Sequence, residues 1–294
     1  MVNLTEKLSA CSREYPFEPR FFRHPDSGHR QSYLDEGSGP PVVMVHGNPT
    51  WSYYFRDLVK LLSGEHRCLV PDHLGCGLSD KPRDWDYRLQ GHIENLGRIL
   101  DHSGVEQYDL IVHDWGGPIG IGTGLIHPDR IRRIIILNTA VFRSTRIPLR
   151  INLCRLPLLG ELLVRGLNGF VRPATRMAVC KPMSPEVRRG YLLPYSNWHD
   201  RIAISRFVQD IPLKSSHPSY PTLLRIESRL KALEEKPIKL FWGGRDFCFN
   251  DAFYKEWLRR FPHAESRCFK DAGHYVLEDG KPEILELIRD FLRD

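Results

Sequence analysis

With 294 residues, 41% of them hydrophobic and 27% charged, the chain is long enough for one large α/β domain, or for one domain with a smaller one inserted. Its opening, MVNLTEKLSACSREYPFEP, has no continuous apolar core, and no segment approaches the ~18 apolar residues of a membrane span, so neither an export signal nor a transmembrane segment is expected. The net charge of +6 is unevenly placed: 17 Lys/Arg face 7 Asp/Glu between Val141 and Lys236, which reads as a solvated outer face or as a docking surface for an acidic protein partner or an anionic membrane. No aromatic RNA-binding motif or recognition-helix pattern accompanies these charges, which argues against nucleic acid.

Short β-branched runs alternate with longer amphipathic segments, the pattern of βαβ units and a mostly parallel sheet flanked by helices. The runs expected as central strands are PVVMVH (41 to 46), RCLVPD (67 to 72), DLIVH (109 to 113), RRIIILN (132 to 138), IKLFWG (238 to 243) and ESRCF (265 to 269). Between them the apolar spacing predicts helices from Trp51 to Leu62, Leu89 to His102, Pro118 to His127, Ala252 to Phe261 and Pro282 to Leu292. After Asn138 the rhythm stops for about a hundred residues of proline-cut helical stretches, then resumes at Ile238. Such an excursion predicts a helical cap subdomain, 141–236, inserted into a core made of 1–140 and 237–294. The seven cysteines are scattered and form no CxxC or Cys/His cluster, which favours free thiols in a reducing cytoplasm over disulfides or a zinc site.

Ligands of open α/β sheets bind beyond the carboxyl ends of the strands, so the residues just after each strand carry the functional signal. Those positions hold His46-Gly47-Asn48-Pro49, His113-Asp114-Trp115-Gly116-Gly117-Pro118, Gly244-Arg245-Asp246 and Ala272-Gly273-His274-Tyr275. Asp114 sits in a strand, sharp turn, helix arrangement like the G-x-S-x-G nucleophile elbow, with Val112 replacing the first glycine and Asp replacing Ser. Taken singly, Asp114 would serve equally as a helix N-cap, Asp246 as a loop-capping carboxylate and His274 as a surface histidine. Their order, nucleophile then acid then histidine, is the order of α/β-hydrolases, and it favours a triad. His46 and His113 are expected to be structural. The GIGIGTG run falls inside the helix after the elbow and lacks the G-x-G-x-x-G context of a nucleotide loop, and nothing has the spacing of a metal site, so neither a metal nor a cofactor is expected.

Over nearly its whole length the chain resembles the haloalkane dehalogenase family of α/β-hydrolases. HGNPTWSYYFR, PDHLGCGLSDKP, VHDWGG, PYSNW, QDIPL and GHYVLED are similar to its third subfamily and to the related β-lactone decarboxylases of bacterial olefin biosynthesis. The resemblance implies that the backbone N–H groups of Asn48 and Trp115 form an oxyanion hole. It also implies that the Trp115 indole and the Asn48 amide hold a departing halide. Read as bare residues, Trp115 would be core and Asn48 a turn residue.

An Asp is ionised at neutral pH without a base, and it can displace a leaving group from saturated carbon to give an ester that water can cleave. His274 would activate that water, with Asp246 holding its tautomer. Phe142, Trp198, Ile202 and Phe207 of the cap are expected either to line the pocket or simply to pack cap on core; together they favour a small apolar substrate. The leading expectation is therefore dehalogenase-type hydrolysis, with halide leaving the site. The close alternative is decarboxylation of a cis-3-alkyl-4-alkyloxetan-2-one to an alkene and CO2. An epoxide hydrolase, with Tyr191 and Tyr195 activating the oxygen, is a third reading, set back by Asn48 where that family carries an apolar or aromatic residue. A hydrolase-fold receptor without activity is the weakest.

Overall fold

In the computed structural model, residues 8, 9 and 11–293 are described; residues 1–7 of the opening stretch lie outside them. Eight strands form one sheet: β1 (Arg20–Arg23), β2 (Arg30–Glu36), β3 (Pro41–Val45), β4 (Arg67–Pro71), β5 (Tyr108–His113), β6 (Ile131–Leu137), β7 (Ile238–Gly243) and β8 (Glu265–Phe269). Their order is β1-β2-β4-β3-β5-β6-β7-β8, antiparallel for β1/β2 and β2/β4 and parallel elsewhere.

The six expected strands are β3 to β8. They were readable because both faces of β3 to β6 are covered, which selects unbroken runs of Val, Ile and Leu. Every residue of β5 is buried, and each large aliphatic side chain so placed stabilises the fold by about 1.5–3 kcal/mol. The sequence reading missed β1 and β2, whose residues RFFR and RQSYLDE carry charge at an antiparallel margin.

Helices cover both faces, among them Arg56–Leu62, Leu89–His102, Gly116–Gly124, Asp251–Arg260 and Glu283–Arg293. Between β6 and β7, residues 138–237 contain helices and no strand among the described residues. This segment is tied to the rest through Asp210, whose carboxylate accepts the Leu89 N–H at 2.9 Å and pairs with Arg88 at 2.9 Å, so it caps the helix that starts there. A second tie is the buried Arg56, which pairs with Glu278 at 2.6 Å while Tyr191 donates to the same carboxylate at 2.6 Å. Burial alone would raise the Glu278 pKa, but the Arg56 guanidinium holds it down to about 2.

No helix among the described residues is long and apolar enough to cross a membrane. All seven cysteines are free.

Candidate active site

The parallel register aligns Val45 with Val112, Val112 with Ile136 and Leu137 with Phe241, so the loops after β3, β5, β6, β7 and β8 meet at one edge of the sheet. At that edge β5 ends in a turn where Asp114 adopts φ 52, a left-handed conformation costing a non-glycine residue roughly 1–2 kcal/mol. The backbone is held there from three sides. Asp114 N–H donates to Asn138 O at 3.2 Å, Gly117 N–H donates to Asp114 O at 2.9 Å, and the Thr139 hydroxyl donates to that same carbonyl.

The glycines after Asp114 let the helix close on the sheet. A Cβ on Gly116 would collide with the carbonyl oxygen of Val45. Val112, which departs from the elbow pattern, is accommodated from the other side: a Cβ on Gly120 would lie 2.8 Å from its Cγ1, so the helix supplies the space that a strand glycine would otherwise leave.

The buried Asp114 carboxylate faces two groups. Its Oδ1 accepts the Asn48 backbone N–H at 2.6 Å, and its Oδ2 lies 3.7 Å from His274 Nε2. Burial raises its pKa, opposed by the His274 charge and by the backbone N–H groups of Trp115 and Asn48. His274 Nδ1 lies 2.8 Å from Asp246 Oδ2, which makes Nδ1–H the donor and leaves Nε2 toward Asp114. Burial lowers the His274 pKa, but Asp246, by charge and hydrogen bond, and then Asp114 outweigh it, and the net direction is up.

Other groups fix these positions. His113 Nε2–H donates to the His274 carbonyl at 2.9 Å, and burial keeps His113 neutral by pushing its pKa well down. His46 donates from Nδ1 to Gly47 O at 2.9 Å and accepts His73 N–H on Nε2 at 3.1 Å. Both histidines therefore serve backbone, as the sequence suggested. Asn138 was not anticipated. Its amide donates to Asp246 Oδ2 at 2.9 Å and to Gly243 O at 3.2 Å, and its Oδ1 accepts Gly243 N–H at 2.8 Å. Its place directly after a strand was the available signal.

A cavity of about 380 Å³ opens over Asp114, walled by His274, Asn48, Trp115 and a mainly apolar set that includes Phe142, Phe170 and Phe249. Among the described residues the Trp115 indole N–H donates to no protein acceptor, whereas the Asn48 side-chain N–H₂ is anchored on Ile204 O at 3.2 Å. Of the four cap residues singled out, Phe142 alone is in the wall. Phe207 lies behind it, 5.2 Å from the Trp115 ring and stacked on His92 at 4.5 Å; Ile202 is buried on the same helix, whose Val208 reaches the cavity instead. Trp198 faces outward, with Arg165 4.5 Å over its ring. Neither tyrosine offered for an epoxide points into the cavity. Tyr191 bonds to Glu278, and Tyr195 donates to Thr50 O at 3.1 Å and accepts from Gly77 N–H at 3.3 Å, so the epoxide reading lacks its acids.

Residues 40–281 match the family of the α/β hydrolase fold. The chain is 44% identical over 286 residues to a cis-3-alkyl-4-alkyloxetan-2-one decarboxylase of Shewanella oneidensis, covering 95% of this chain and 89% of that protein. It is 31% identical over 278 residues to haloalkane dehalogenase 2 of Mycobacterium bovis, covering 93% and 94% of the two. Among solved structures, a haloalkane dehalogenase of Agrobacterium tumefaciens C58 is similar with a TM-score of 0.81 and 27% identity, over 94% of this chain and 96% of that one. Sequence and fold agree, and the chain belongs to the α/β-hydrolase fold family, as an enzyme of the branch that holds haloalkane dehalogenases and β-lactone decarboxylases.

Proposed function

We propose that this enzyme decarboxylates cis-3,4-dialkyl β-lactones to alkenes, with Asp114 as nucleophile. The observation that carries the choice is the 44% identity to a decarboxylase of that substrate class, against 31% to a dehalogenase, which reverses the order in which the sequence alone placed the two. The mainly apolar cavity above Asp114 suits two alkyl substituents.

The reaction balances without water or cofactor. Asp114 attacks the saturated ring carbon that carries oxygen; the carbon–oxygen bond breaks, and the ring opens to a carboxylate joined through two carbons to an Asp114 ester. Attack from the rear leaves that ester anti to the carbon–carboxylate bond. The electrons of this bond then form the alkene as CO2 departs and the Asp114 carboxylate is expelled. No rotation intervenes, so a cis-lactone gives a cis-alkene. Attack on the lactone carbonyl would instead leave an alkoxide, a poor group to expel.

In this scheme the triad is Asp114, His274 and Asp246. The backbone N–H of Asn48 holds Asp114 Oδ1 and so orients the attacking carboxylate, and the indole N–H of Trp115 faces the negative charge that forms as the ring opens. His274, with its raised pKa, is matched to the carboxylate that forms and departs beside it. The helical segment 141–236 acts as the cap that keeps water out, and the free thiols favour work in the cytoplasm.

Dehalogenation remains the second reading, because Trp115 offers its indole N–H at the cavity wall, where a halide would leave. Purified protein incubated with a cis-dialkyl β-lactone is expected to release alkene detectable by gas chromatography, and an Asp114→Asn variant none. Absence of alkene overturns the proposal. Halide release from 1,2-dibromoethane above a His274→Ala control would establish the second activity.

A further inference from the structure

Eleven large hydrophobic side chains are exposed among the described residues; ten of them lie in the segment between β6 and β7, and nine of those ten fall between Leu149 and Trp198: Leu149, Leu153, Leu156, Leu158, Leu159, Leu162, Leu167, Met177 and Trp198. Scattered exposed leucines need no account, but this concentration does. The helix Leu149–Cys154 and the turn leading into it show why. Ile147, Ile151 and Cys154 line the cavity, while Leu149, Leu153 and Leu156 of the same stretch face outward. A helix apolar on both sides is one that is covered on both sides.

The patch is continuous at both ends. A Cβ on Gly166 would lie 3.1 Å from Leu162 and 3.5 Å from Trp198, so those two are neighbours; at the other end Arg150 joins the first helix to Met177, its Nη1 3.8 Å from the sulfur. Leu158 is the most exposed of the set at 85% and holds φ 58, a conformation leucine rarely adopts, so the backbone presents an apolar side chain outward where a glycine or a polar residue would be easier.

Charge selects the occupant. Residues 141–181 hold eight Lys/Arg and one acid, Glu161. Arg146, Arg172 and Arg176 pair with no carboxylate among the described residues. Leucines projecting from a strongly basic segment match an anionic lipid surface, into which the leucines insert while arginines meet headgroups.

We propose that the outer face of residues 149–177 docks on anionic membrane, which sets the wall of the cavity against the phase where an apolar ligand is most concentrated. Binding and release would then occur across Ile151, Cys154 and Met177, side chains of the docked segment that also line the cavity.

Co-sedimentation of the full chain with vesicles tests this. Equimolar phosphatidylglycerol and phosphatidylcholine vesicles are expected to retain at least ~10-fold more protein than pure phosphatidylcholine at ~0.1 M salt, with the difference shrinking at ~0.5 M. Two variants separate the contributions, Leu158→Glu/Leu159→Glu for insertion and Arg172→Gln/Arg176→Gln for charge. All four positions are outside the cavity wall, and each variant is expected to keep the thermal midpoint while losing ~10-fold in binding. Three outcomes overturn the proposal: no binding to anionic vesicles; unchanged binding by the leucine variant; or lipid-free self-association that the leucine variant abolishes, which would assign the patch to a second copy of the chain.

Discussion

Asn138 donates its side-chain amide to Asp246 at 2.9 Å while its own carbonyl accepts the backbone N–H of Asp114 at 3.2 Å. One residue thus joins the proposed acid to the proposed nucleophile, and loss of its side chain leaves a buried carboxylate oxygen with one donor fewer. Asn138→Ala is expected to cost about 1–3 kcal/mol of stability, seen in urea unfolding, and to lower kcat by roughly 10- to 100-fold with little change in KM. Unchanged kcat would make Asn138 a packing residue only.

The proposed lactone route consumes no water, whereas ester hydrolysis after dehalogenation needs His274 as base. His274→Ala is therefore expected to accumulate a covalent Asp114 adduct with 1,2-dibromoethane, visible in the intact mass, but not with the β-lactone. An adduct that accumulates equally with both would contradict expulsion of Asp114 by the departing CO2.

Protonation should act on two levels. Burial raises the Asp114 pKa above the ordinary 3.8 and on the proposed route only the anion attacks, so kcat/KM should fall on the acid side at a higher pH than for an exposed carboxylate. For His274, the folded state binds the proton more tightly than the unfolded chain, since Asp246 and Asp114 outweigh burial. Its contribution to stability is complete below the ordinary 6.5 and is lost as pH rises through the raised value. The unfolding free-energy difference between wild type and His274→Gln should accordingly shrink as pH rises above the ordinary 6.5. A difference that grew with pH would reverse the assignment.

Val112 and Gly120 share one space, and a double-mutant cycle should show it. Gly120→Ala alone is expected to destabilise by about 1–3 kcal/mol through overpacking, and Val112→Ala in the same chain to recover part of that. Strict additivity of the two changes in thermal or urea unfolding would exclude the exchange.

The strands and the triad candidates were readable because periodicity and chain order are local or sequential properties. The runs that became β3 to β8 are apolar because both faces of the inner strands are covered, and Asp114, Asp246 and His274 each follow one of them. The residues that line a cavity obey no such rule. On the helix Ile202–Gln209 a single residue step, about 100° of rotation, separates Phe207, against Trp115, from Val208, in the wall. Helical phase relative to a tertiary neighbour decides that, and no spacing within the chain records it. Asn138 escaped for a related reason: its partners Gly243 and Asp246 are more than a hundred residues away.

The Asn48 amide, for its part, leans on the carbonyl of Ile204, across the seam between the sheet loops and the helices above them. Where that amide receives the departing group, as the resemblance to dehalogenases implies, tolerance for different groups is not a property of the sheet loops alone. Grafting the overlying helices from one relative onto another would carry ionic selectivity along with pocket shape, so lineages could diverge in chemistry while the residues that perform it stayed the same.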